Sequence, residues 1–120
     1  MDKKDLISKL NSIQIVVDKV ETMQKEYGVE LSQEMKRIVS QSLEPLFFED
    51  DCRMLSYGEI LKADIEFETN FKELGIIPFI ECFDNDFVVC DVKSGKYGMY
   101  NIIDKVIFSD NKTLEEVLEA

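Results

Sequence analysis

Asp84, Asp86 and Asp91 are the nearest approach to a metal-ligand set in this sequence, in and just after Phe83-Asp84-Asn85-Asp86-Phe87. A calcium loop gathers about six to eight oxygens, usually turns at a central glycine, and closes with a glutamate about twelve positions after its first ligand. Here Phe87-Val88-Val89 follows at once and reads as a strand. A hairpin turn is therefore expected, with no metal and no cofactor. Glu49, Asp50 and Asp51 could in principle supply the paired carboxylates of a glycosidase. A small domain without a single tryptophan is a poor sugar platform. Gly95 and Gly98 resemble a phosphate loop only superficially, because neither the helix that would donate N–H groups nor a Lys-Ser/Thr pair follows.

The three cysteines, Cys52, Cys82 and Cys90, form no repeated spacing, so reduced packing thiols are expected. With Asn85-Asp86 as the turn pair, Asp84 faces Phe87, Cys82 faces Val89 and Cys90 faces Glu81. Cys82 and Cys90 would then be near each other without being opposed, and no adjacent base lowers either thiol pKa. The chain has no histidine. That removes Ser-His and Cys-His nucleophile pairs and most zinc sites. No catalytic residue is expected, and a small enzyme is the weakest of three functional readings.

Charge placement points to a partner. Residues 1–43 hold seven acids and seven bases, whereas residues 44–120 hold 18 acids and seven bases and so carry the whole net charge of −11. Such a field repels nucleic acid and anionic membrane and attracts a basic protein. Acidity also simply favours solubility. No apolar stretch of about 18 residues occurs, and the start MDKKDLISKLNS lacks a signal-peptide core, so a cytoplasmic protein is expected.

These residues need positioning elements, and the 120-residue chain suits one domain, residues 1–120. Asp2–Leu10 predicts a short helix. Ser12 is a candidate cap for a second helix carrying Ile13, Val16, Val17, Val20, Met23 and Tyr27, although a single helix from Asp2 to Tyr27 competes. Gly28 ends that segment. Ser32 begins another helix, with Met35, Ile38 and Val39 on one face and Pro45 as its stop. LFFEDDCRML could form two short strands around an acidic turn. Ser56 and Glu59 make a capping box before a helix covering Ile60, Leu61 and Ile65. DIEFETNFKELG is ambiguous. Phe79–Phe83, Phe87–Val92 and Tyr97–Asn101 predict an antiparallel meander, Asp104–Phe108 adds a fourth strand, and Thr113 with Glu116 opens a last helix. The phenylalanines are expected mostly in the core. Phe47 and Phe48 are the exception, since adjacent strand residues cannot both point inward. The first helices and the last are expected on one face of the sheet.

VDKVETMQKEYGVELSQEMKRIVSQS, RMLSYGEI, IIPFIECFDNDFVVCDVKSGKYGMY and VIFSDNKTLEEVL together resemble the SUKH superfamily, which includes the fungal cell-wall-assembly regulator and many small bacterial proteins. The resemblance covers most of residues 12–119. It implies an α+β fold with a central, mainly antiparallel sheet and flanking helices, and function by protein binding. Many bacterial members are similar to immunity proteins that neutralise a polymorphic-system toxin, often a nuclease; others look like cytosolic adaptors or regulatory scaffolds. The leading expectation is an immunity protein that occludes a basic site, with Phe47, Phe48, Glu49, Asp50, Asp51, Asp84 and Asp86 as contact residues. The alternative is an adaptor of the same fold.

Overall fold

The computed structural model describes residues 3–41, 47–48 and 52–119. The chain opens with α1 (Lys3–Asn11), which buries Leu6 and Leu10. Ser12 does not cap the next helix. Its hydroxyl donates to the Lys9 carbonyl at 2.8 Å and so closes α1. The chain then runs without helix through residues 13–16 before α2 (Val17–Tyr27) begins. The β-branched run Ile15-Val16-Val17 explains the gap, because such side chains are restricted in a helix. The α2 start is capped from elsewhere: the N–H of Val16 donates to the Ser40 hydroxyl at 2.9 Å. Gly28 ends α2 at φ 66°, a left-handed conformation that glycine adopts without steric cost.

Ser32 caps α3 (Gln33–Ser40), accepting from the N–H of Met35 at 3.2 Å. The helix buries Met35, Ile38 and Val39 and ends ahead of Ser42, Leu43 and Pro45, which lie outside the described residues. The ammonium of Lys19 reaches the carbonyls of Ser40 and Gln41 at 3.5 and 3.3 Å, satisfying acceptors that the helix end leaves open.

Among the described residues six strands follow: β1 (Phe47–Phe48), β2 (Cys52–Met54), β3 (Ile76–Glu81), β4 (Asp86–Asp91), β5 (Tyr97–Asn101) and β6 (Val106–Lys112). They form one antiparallel sheet in sequence order. Between β2 and β3 lie α4 (Tyr57–Leu61), α5 (Ala63–Glu66) and α6 (Phe71–Leu74), and α7 (Leu114–Glu119) closes the described chain. The fold is α+β. Both expected capping boxes are present: Ser56 with Glu59, and Thr113 with Glu116. Ile65 is not part of the buried face; it is 80% exposed.

β3 starts three residues earlier than its aromatic content suggests, with Pro78 inside it. The register shifts between Pro78 and Ile80, and proline is tolerated at such a bulge. β6 starts later than expected, after a turn in which Lys105 takes φ 57°. Opposite Gly98 the β5–β6 register also slips. A side chain there would bring its Cβ to 3.0 Å from the Asp110 Cα, so glycine lets the two backbones approach.

The first helices and the last share one face of the sheet, and the short helices between β2 and β3 add cover on the other. Tyr97 and Tyr100 lie three residues apart on β5 and point to opposite sides. Tyr97 packs edge-on against Phe79 and donates to Glu34 of α3 at 2.7 Å. Tyr100 meets Phe71 of α6, which meets Phe87, which meets Phe67 just after α5. The short helices of DIEFETNFKELG thus supply a second, aromatic layer.

Candidate partner-binding surface

Antiparallel order brings the turn between β3 and β4 to the same sheet end as the turn between β5 and β6. The first of these is built on Asp84-Asn85, not Asn85-Asp86. Both residues sit in the left-handed region, at φ 66° and 68°, which aspartate and asparagine tolerate better than most. The N–H of Asp86 donates to the Phe83 carbonyl, and the N–H of Cys82 donates to the Asp86 carbonyl at 2.7 Å. Phe83 is left without a strand partner and is pushed out, 69% exposed. The expected pairings of Asp84 with Phe87 and Cys90 with Glu81 are therefore wrong: Glu81 faces Phe87, and Cys90 faces Ile77.

Asn101, at the end of β5, ties the two turns together. Its amide nitrogen donates to the Asp84 carbonyl at 3.1 Å and the Asp86 carboxylate at 2.8 Å. Its oxygen accepts from the N–H groups of Ile103 and Asp104 at 3.0 and 2.8 Å. The N–H of Ile102 also donates to the Asn85 carbonyl at 3.1 Å. The result is a fixed surface that presents Phe83 and Ile103, the latter 67% exposed, among Asp84, Asp86 and Asp104. An Asn101→Ala variant breaks all four side-chain bonds. It is expected to lose about 1–3 kcal/mol in urea unfolding, a range typical of removing one partner from a hydrogen-bonded cluster.

The predicted contact residues divide. Asp84 is exposed on this surface, and Asp86 beside it is half-buried. Asp91 lies at the far end of β4, where its carboxylate accepts from the N–H groups of Lys93 and Ser94 and shapes the turn at Gly95. It does not join the other two aspartates. Phe47 and Phe48 form β1, opposite Arg53 and Cys52. Their side chains, and all of Glu49, Asp50 and Asp51, lie outside the described residues. Phe83 and Ile103 were not predicted as contacts; the signal was an apolar residue flanked by turn formers, Phe83 before Asp84-Asn85 and Ile103 before Asp104.

Arg53 organises the neighbouring strands. Its guanidinium bonds Glu59 and Glu81 at 2.8 Å each, and Glu59 also accepts from the Ser56 N–H at 3.0 Å. Burial works against the Glu59 charge, but the Ser56 N–H and then Arg53 outweigh it and hold the carboxyl below its ordinary 4.5. A lowered folded-state pKa adds stability above the unfolded value and loses it as pH falls through the folded value. Glu59→Gln keeps an acceptor for Ser56 and loses the charge. Its deficit is expected at about 1 kcal/mol near neutral pH, because the ion pair is partly exposed. The deficit should vanish as pH drops well below 4.5, which denaturation across a pH series checks.

At the opposite sheet end an open cleft of about 520 Å³ is lined by Val89, Asp91, Lys96, Gly98, Asp110 and Asn111, among others. It follows from the β6 slip past Gly98, and Ile76 and Ile107 are among its apolar lining. Comparison of the chain with protein-family models, with curated proteins and with solved structures gave no match.

Proposed function

We propose that this chain is a non-enzymatic, cytoplasmic binding protein, an immunity protein that neutralises a toxin of a polymorphic system by covering a basic site such as a nuclease cleft. The observation that carries this reading is the fixed, acidic sheet end from which Phe83 and Ile103 project. Exposed apolar anchors ringed by charge suit a protein partner: the anchors hold the complex and the acids speed encounter. The SUKH-like motifs and the acidity of residues 44–120 support the same reading. Among the described residues no helix is long and apolar enough to cross a membrane.

Co-expression with the toxin encoded beside its gene is the test. Protection of the host supports immunity; continued killing overturns it and favours the adaptor reading. With the toxin in hand, Asp84→Asn with Asp104→Asn is expected to slow association by about threefold to tenfold and to flatten its salt dependence. Asparagine keeps the left-handed turn at position 84 tolerable. Glu49→Lys, Asp50→Lys and Asp51→Lys in one variant read the other acidic stretch by the same measurement.

A further inference from the structure

The register that pairs Arg53 with Glu81 places Cys52 opposite Cys82, one residue further along. Their sulfurs lie 3.0 Å apart, and neither is part of a disulfide. The Leu55 N–H donates to the Phe79 carbonyl, and antiparallel hydrogen bonding alternates, so Cys52 and Cys82 occupy a non-hydrogen-bonded position. The N–H of Cys82 agrees, since it turns away from β2 toward the Asp86 carbonyl. Such positions hold Cα atoms about 4.5 Å apart, within the about 4.4–6.8 Å that a disulfide spans. Both residues are partly open to solvent, whereas Cys90 is 2% exposed.

We propose that Cys52 and Cys82 form a dithiol modification site that reacts with a small-molecule disulfide and closes to an intramolecular disulfide across β2 and β3. One cysteine thiolate attacks a sulfur of the oxidant, forming a mixed disulfide and releasing one small thiolate. The second cysteine thiolate then attacks the protein sulfur of that mixed disulfide and releases the other. The two protons lost by the protein thiols go to the two released thiolates. The protein pair gives up two electrons, and the oxidant is reduced to two thiols. Cys90 stands outside this chemistry: burial, then the charges of Asp91 and Glu34, push its thiol up to about 12. The cross-link would join positions 30 residues apart and pin the three-residue β2 to β3 beside the turn that carries Phe83.

The test treats the whole chain with oxidised glutathione, then counts free thiols and maps peptides by mass. Two of the three thiols should disappear. The mass should fall by two hydrogens, the peptides holding Cys52 and Cys82 should be linked, and dithiothreitol should reverse the change. Cys90→Ser should behave as wild type but end with no free thiol. Cys52→Ser and Cys82→Ser should instead keep a glutathione adduct on the remaining partner. A wild-type chain that retains a stable adduct, keeps all its thiols, links through Cys90 or cross-links between chains overturns the proposal. Amide exchange in β2 should slow on oxidation, and it should not change in Cys52→Ser. The outcome is independent of whether a toxin is bound.

Discussion

Phe87→Ala should destabilise the fold by about 3–5 kcal/mol, the range for deleting a buried aromatic ring. That is a large share of the about 5–15 kcal/mol by which a domain is stable. Phe87 is 1% exposed and lies at the centre of the aromatic layer, 4.8 Å from the Phe67 ring and 5.6 Å from the Phe71 ring. Phe71 continues the contact to Tyr100 at 5.8 Å. Removing Phe87 thus leaves a cavity under both α5 and α6, whose few residues have little helical stability of their own. Urea unfolding should show a lower midpoint at an unchanged slope. Phe87→Leu, which refills most of the space, should cost less, about 1–1.5 kcal/mol. A loss in Phe87→Ala below about 1 kcal/mol would mean that this face is not packed, since full burial of a phenylalanine side chain is itself worth more.

What was legible in the sequence had a local cause. Ser32, Ser56 with Glu59, and Thr113 with Glu116 bond N–H groups within their own first turn, so the residue pattern contains both partners. Gly28 and Gly95 mark left-handed positions for the same reason. Ser12 misled because a serine between two helices can serve either, and only the Val16 bond to Ser40, 24 residues away, decides. The Asp84-Asn85 turn was displaced by one residue because the three polar residues fit either placement; the Asn101 staple, 15 and more residues away, favours one. The same one-residue error hid Phe83 as a bulged, outward side chain. Cys52 and Cys82 fall in separate strands, and their register is set across a separation of 30 residues that includes three short helices, which no periodicity rule spans. The second helical layer was invisible for a similar reason: helices of four residues show no full hydrophobic period.

Phe83→Ala is the sharpest probe of the acidic end, because stability and binding should separate. With 69% of its surface already exposed, the ring contributes little to the folded state, and the denaturation midpoint should barely move. The backbone that ejects it, Asp86 N–H to Phe83 carbonyl, does not depend on the side chain. Burial of that ring against a partner is another matter. A central aromatic anchor typically contributes about 2 kcal/mol or more, so affinity for the toxin should fall about thirtyfold. The loss should lie in the dissociation rate, whereas the Asp84→Asn and Asp104→Asn pair acts on association. Ile103→Ala should show the same split with a smaller drop. Wild-type affinity in both anchor variants would remove this sheet end from the interface, whatever the charge variants do. Charge acts over about 8–10 Å in physiological salt and can steer a partner to a neighbouring surface; an anchor works only where it is buried.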